Sequence, residues 1–254
     1  MKKQLHLKKL QLIPIALPLC LLCTRNIEAS VLMFETFETE GLGTRFLATN
    51  SFSDGADDYF IRTDGNAGAT GIPEYTHYGD TWYWAAEDID STDNPSGEAI
   101  LDFANIDLTG FDSFTISIDI GAGSIVTFDS VDDFVFVQYR IDAGSWQTAL
   151  AFQNDGQTFN SNMRQDLNFD GIGEGTMLGF AMQTFTSAAF PITGSLLDVR
   201  IDTVVNGGGE AVAFDNIQVV GVPEPAAMAL VFGLVAGLFT FKRFLPQREI
   251  ESRA

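Results

Sequence analysis

Phe114, Ile116, Ile118 and Ile120 alternate with Ser113, Thr115, Ser117 and Asp119, the period of two that a strand with one buried face requires. Leu197, Val199 and Ile201 repeat the pattern against Asp198, Arg200 and Asp202. Looser versions predict further strands over 31–37, 58–62, 81–86, 98–103, 134–141, 146–152, 177–185 and 211–219. Between them lie Asp64, Gly65 and Asn66, then Asp142, Ala143 and Gly144, then Asn154, Asp155 and Gly156, and finally Asn206 with Gly207, Gly208 and Gly209. These residues tolerate positive φ or close Asx turns, so each group reads as a reversal of the chain. No stretch between 31 and 221 keeps a 3.6-residue period. An all-β chain of about ten short strands is expected to fold as two antiparallel sheets packed face to face, a β-sandwich of jelly-roll-like topology.

The final strand carries an irregularity. Val212 and Phe214 occupy one phase of the alternation, whereas Ile217 and Val219 occupy the other. A bulge at Asp215 and Asn216 would return all four apolar side chains to a single face.

The two ends break the pattern. Lys2, Lys3, Lys8 and Lys9 precede an apolar segment over 10–23, and a short polar stretch closes on Ala29 and Ser30. This is the layout of a secretory signal, predicted as an N-terminal signal helix over 1–30 with cleavage after Ala29 or Ser30. Cys20 and Cys23 each follow leucines rather than small residues, which argues against lipidation. At the other end, Val222, Pro223, Glu224 and Pro225 are followed by an uncharged apolar run over 226–241 and then by Lys242 and Arg243. Such a run spans roughly 24 Å as a helix, short of a ~30 Å hydrocarbon core, so a single short transmembrane helix is predicted. The basic residues after it favour retention of the extreme C-terminus in the cytoplasm, with everything before Val222 on the far side. Three segments follow: a signal peptide over 1–30, a sandwich domain over 31–221, and a tail over 222–254.

The tail resembles the PEP-CTERM sorting tail of Gram-negative bacteria that make extracellular polysaccharide, in its Pro223-Glu224-Pro225 triplet, its short span and its Lys242-Arg243 end. That resemblance implies insertion in the inner membrane, recognition by an exosortase, cleavage near the triplet, and delivery of the upstream domain to the cell surface or matrix. Within the domain, the run Ala213-Phe214-Asp215-Asn216-Ile217 resembles the closing strand of jelly-roll modules related to carbohydrate-binding and laminin-G-like domains. The run from Tyr139 to Trp146 is similar to modules found beside secreted bacterial nucleases and in other surface proteins. These likenesses imply a sandwich and no particular activity.

Charge narrows the classes of partner. The whole chain has a formal net charge of −20, from 14 basic and 34 acidic side chains. Between residues 31 and 221 the basic residues reduce to Arg45, Arg62, Arg140, Arg164 and Arg200, with no lysine and no cysteine, against thirty acids. A domain near −25 repels nucleic-acid phosphates and anionic membranes, and suits divalent cations. Without cysteine it is held by packing, and metal is the remaining staple.

The strongest local motif is Asp166-Leu167-Asn168-Phe169-Asp170-Gly171-Ile172-Gly173-Glu174. Oxygen-bearing side chains at positions one, three, five and nine (Asp166, Asn168, Asp170, Glu174), glycine at six and the carbonyl of Ile172 at seven match the opening of a calcium loop. Position twelve is Met177, so the bidentate glutamate of an EF-hand is missing, and a polar hairpin turn is the competing reading. A weaker cation site would pair Glu35, with Glu38 beside it, on the first strand with Asp215 on the last. Trp82, Tyr83 and Trp84 form an aromatic run. Trp82 and Trp84 share a face that could stack on sugar rings or fill a core, which would turn Tyr83 outward.

Catalytic signals are sparse. His77 is the sole histidine after the signal, and neither a nucleophile elbow nor a phosphate loop occurs. The expectation is an exported, non-enzymatic surface protein associated with exopolysaccharide, binding calcium or carbohydrate. The alternative is an extracellular glycosidase on the same scaffold, since that chemistry needs only two carboxylates.

Overall fold

The computed structural model describes residues 29–49, 51–76, 81–123, 127–130 and 132–223. Residues 1–28 of the predicted signal segment and the tail from Glu224 onward, including Pro225, Lys242 and Arg243, lie outside the described residues, whereas Ser30, the last residue of that predicted segment, opens the first strand opposite Gly221. Among the described residues sixteen strands form, and no helix is long and apolar enough to cross a membrane. They are β1 (Ser30–Glu35), β2 (Leu47–Thr49), β3 (Phe52–Ser53), β4 (Tyr59–Thr63), β5 (Tyr83–Glu87), β6 (Ala99–Asp107), β7 (Phe111–Ala122) and β8 (Phe128–Asp129), followed by β9 (Phe134–Ile141), β10 (Gln147–Asn154), β11 (Asn160–Ser161), β12 (Met163–Asp166), β13 (Gln183–Thr186), β14 (Phe190–Pro191), β15 (Leu196–Val204) and β16 (Val212–Pro223).

One sheet runs β13-β7-β16-β5-β4-β3, with β1 also beside β16 and β14 beside β7. The other runs β12-β10-β9-β15-β6-β2, and β8 and β11 form a separate pair. All of these strand pairings are antiparallel. The core lies between the two large sheets, where the inward phase of each strand meets the other. Phe114, Ile116, Ile118 and Ile120 of β7 are fully buried, as are Leu197, Val199 and Ile201 of β15. The outward phase of β15 places Asp198 and Arg200 at partly exposed positions.

The irregularity of the last strand is a bulge. The register of β16 against β7 shifts between Asp215 and Gln218, Asn216 takes φ of 50°, and Val212, Phe214, Ile217 and Val219 are all buried. The β9–β10 connection over 142–146 takes positive φ at both Asp142 and Ala143, with Gly144 N–H donating to the Ile141 carbonyl at 2.9 Å, a primed turn at its start. Two expectations need correction. Residues 177–185 do not form one strand: Met177 makes only an isolated bridge to Arg164, and regular pairing begins at Gln183. Gly179 weakens that stretch as a strand. The last strand also continues past Gly221, with Val222 opposite Ser113 and Pro223 opposite Phe111, so it ends on the first residue of the Pro-Glu-Pro triplet.

Candidate functional site

Two rows of side chains on the outer face of the six-stranded sheet define the site. Ala151 of β10 stands opposite Phe136 of β9 on one side and Asp166 of β12 on the other, which sets an aromatic ring, a methyl group and a carboxylate in one line across three strands. Two residues along, Gln153 lies between Phe134 and Arg164 in the same way. Phe134 and Phe136 stack with centroids 4.2 Å apart and planes 15° from parallel. The small residue between two large ones leaves a depression of about 280 Å³, lined by Phe136, Thr148, Gln153, Asp166, Phe169 and Asp170 among others. Further along the same sheet, Arg140 and Arg200 both lie 4.5 Å from the ring of Trp146, with Arg140 paired to Asp198 at 2.8 Å.

One wall of this depression is the loop that follows β12. Asp166 is buried and organises the turn: its Oδ1 accepts the backbone N–H groups of Asn168 at 3.1 Å and Phe169 at 2.6 Å, and its Oδ2 accepts that of Gly171 at 2.9 Å. Asn168 Oδ1 accepts Asp170 N–H at 2.9 Å, Asp170 Oδ1 accepts Ile172 N–H at 3.1 Å, and Glu174 Oε1 accepts Leu167 N–H at 3.0 Å. Gly171 sits at φ of 93°, a backbone few other residues adopt. Gly173 is required for a different reason: a Cβ there would lie 2.5 Å from the carbonyl oxygen of Gln153.

This winding brings one oxygen each of Asp166, Asp170 and Glu174 within 4.8 Å of one another. Oxygens bound to one calcium at 2.3–2.6 Å lie at most about 5 Å apart, so the cluster has the dimensions of a coordination sphere. Asp166 Oδ2 accepts a single N–H and keeps a lone pair for a cation. Met177 is exposed and contributes no oxygen side chain.

The second pair behaves differently. Glu35 is held by Arg45, with Nε donating to Oε2 at 2.6 Å and Nη2 to Oε1 at 2.9 Å, and Phe37 N–H donates to Oε1 at 2.8 Å. Arginine thus supplies the positive charge that a cation would bring. Asp215 is fully buried in the bulge, accepts Asn216 N–H at 2.7 Å, and joins no three-carboxylate cluster with Glu35 among the described residues.

Two members of the aromatic run, Tyr83 and Trp84, are interior. Trp84 is 1% exposed and packs against Phe37, Phe46 and Phe60, with centroids 5.1–5.8 Å away. Trp82 is half-buried beneath the Arg62 guanidinium, 3.9 Å from its ring centroid. Tyr83 points to the opposite face as alternation requires, yet it is buried and not turned to solvent. The segment between β4 and β5 folds over it, bringing Ala69, Ile72 and Tyr75 into a small second core with Tyr59 and Met182. Burial, with the charge of Asp64 adding to it, pushes the Tyr83 phenol up to about 12.

A second carboxylate cluster comprises Asp129, Asp133 and Glu210. Sequence reading missed it because its members come from two separate turns with no motif spacing between them.

No family model and no curated protein matches this chain. Among solved structures, the K3 cleaved adhesin domain of Lys-gingipain from Porphyromonas gingivalis is 11% identical over 76% of this chain and 99% of its own, with a TM-score of 0.42. A cyclase from Fischerella sp. TAU is 17% identical over 78% of this chain and 100% of its own, at 0.43. The xylan-binding domain from CBM 22 is 10% identical over 76% and 96%, at 0.35. The all-β, two-sheet architecture described here rests on the strand pairing itself.

Proposed function

We propose that this protein is an exported, non-enzymatic, jelly-roll-like β-sandwich that binds extracellular polysaccharide in the depression beside the Asp166–Glu174 loop, with calcium ordering that loop. An exosortase acting on the Pro223-Glu224-Pro225 tail at the inner membrane delivers it to the surface or matrix. The observation that carries the binding reading is the depression beside Phe136: its partly exposed ring suits the apolar C–H surface of a sugar, and the partly exposed Thr148 and Gln153 and the exposed Asp170 supply polar groups on the same lining. Asp166, Phe169 and Asp170 belong to both the depression and the loop, so a cation held there would fix the shape of the binding wall.

The geometry favours this over a glycosidase. Catalytic carboxyl pairs stand about 5–9.5 Å apart on either side of a sugar bond. The two carboxylates of this depression instead turn toward one another within 4.8 Å, with Glu174 as a third, which suits chelation.

Affinity electrophoresis through gels containing the producer's own polysaccharide tests the reading. The full chain in detergent is expected to be retarded in calcium. Phe136→Ala is expected to weaken binding roughly 2- to 10-fold, the loss of about 0.5–1.5 kcal/mol that one aromatic contact supplies. Unchanged mobility of the unsubstituted protein in every gel, or release of sugar from the polymer, would count against it.

A further inference from the structure

The cluster of Asp129, Asp133 and Glu210 shares no residue with the loop at 166–174 and has a feature that loop lacks, a buried carboxylate oxygen without a donor. Asp129 ends β8, Asp133 immediately precedes β9, and Glu210 closes the turn between β15 and β16. One oxygen from each lies within 4.8 Å of the other two. Asp133 is 3% exposed and Glu210 is 5% exposed, so two of the three are withdrawn from water.

Backbone contacts fix where these groups point. Asp133 Oδ2 accepts the N–H of Asp129, and Glu210 Oε2 accepts the N–H of Asn206 at 3.0 Å. The glutamate folds back over its own turn, and Gly207 makes room for it: a Cβ there would lie 2.9 Å from the carboxylate carbon. Asp133 Oδ1, in contrast, is buried with no hydrogen-bond partner. A buried charged oxygen with nothing donating to it is costly, and proteins resolve that cost with a proton, a paired cation or a bound metal.

Among the described residues no basic side chain makes an ion pair with this cluster. Residues 31–223 contain no lysine, and the ion pairs of the five arginines are made with Glu35, Glu40, Asp198, Asp155 and Asp202. Burial, then the charges of Glu210 and Asp129, raise Asp133 well above the ordinary carboxylate range, as expected for acids crowded together without a counter-charge.

We infer that Asp129, Asp133 and Glu210 form a buried calcium site that ties the turn before β9, in one sheet, to the turn before β16, in the other. Hard oxygen donors alone, from carboxylates that can each bind through one or two oxygens, match calcium's preference for six to eight oxygen ligands. Its role is structural: it clamps the two sheets at one end of the sandwich, where no disulfide is available.

Calcium titration of the full chain in detergent, read by isothermal calorimetry, tests this directly. Two calcium ions per chain are expected. Asp133→Asn combined with Glu210→Gln is expected to leave one, and Asp170→Ala is expected to leave the other. Should the double variant fail to fold by circular dichroism, Asp129→Asn, at the more exposed edge of the cluster, is expected to weaken one of the two sites at least tenfold. A single calcium that disappears with Asp170→Ala alone would overturn this site and spare the loop. A single calcium that disappears only with the Asp133 and Glu210 substitutions would uphold the site and overturn the loop. No calcium at all would overturn both.

Discussion

Trp84→Ala is expected to destabilise the sandwich by about 3–5 kcal/mol, the range for deleting a fully buried large aromatic side chain. Trp84 lies where three aromatic rings converge: Phe60 at 5.1 Å, Phe46 edge-on at 5.7 Å and Phe37 at 5.8 Å. Phe60 is fixed in β4, and Phe37 and Phe46 are held in the connection between β1 and β2, so they are not expected to close over the space an alanine leaves. For a domain of this size each kcal/mol corresponds to roughly 2–4 °C, so the melting temperature should fall by on the order of 10 °C. Trp84→Phe provides the internal control. The indole Nε1 is buried without an acceptor, so phenylalanine gives up volume and also removes an unsatisfied donor. Its loss should be less than half that of alanine. Equal losses for the two substitutions, measured by urea denaturation, would show that the packing of an aromatic ring against Phe37, Phe46 and Phe60 does not set the stability at this position.

Removal of calcium is expected to have an effect of similar size. The domain between 31 and 223 has many acids, five arginines and no disulfide, and two of its carboxylate clusters have the spacing of a coordination sphere. A ligand that binds only the folded state stabilises it by about 2.7 kcal/mol when present at a hundred times its dissociation constant. For each occupied site, a change from millimolar calcium to excess chelator should therefore lower the melting temperature by roughly 5–10 °C. Asp170→Ala should abolish the part of that shift owed to the loop while leaving the chelator-treated protein nearly as stable as the unsubstituted one, because Asp170 is exposed. Magnesium should substitute poorly, since it demands octahedral geometry at shorter distances. A melting temperature indifferent to calcium would remove the metal from both proposals.

Some of this was legible in the chain and some was not, for physical reasons that differ by element. Strands β7 and β15 announce themselves because one face is buried and the other is not, which forces strict alternation. The bulge at Asp215 and Asn216 was visible for the same reason: two apolar pairs out of phase have to be reconciled. The short strands β2, β3, β8, β11 and β14 span two or three residues each, too few for a period to show. The run Asp166 to Glu174 could be read because its carboxylates are local, whereas Asp129, Asp133 and Glu210 meet only after two turns are brought together by the sheets. The depression was hidden for a related reason. Phe136, Ala151 and Asp166 become neighbours through cross-strand register, and no local pattern encodes that register. The aromatic run was correctly divided between two faces, but the cover over Tyr83 comes from residues 69–75, which carry no strand signal.

The last strand adds a constraint to the sorting proposal. Because β16 pairs as far as Pro223, cleavage before that residue would strip a rung from the sheet, so the scissile bond is expected after it. Mass spectrometry of the protein recovered from fractionated producer cells measures this most directly. The expected result is a chain in the surface or matrix fraction that begins at Ser30 or Val31 and ends after Pro223, without the apolar run and its basic end. An intact chain of 254 residues recovered from the cytosol would contradict the account.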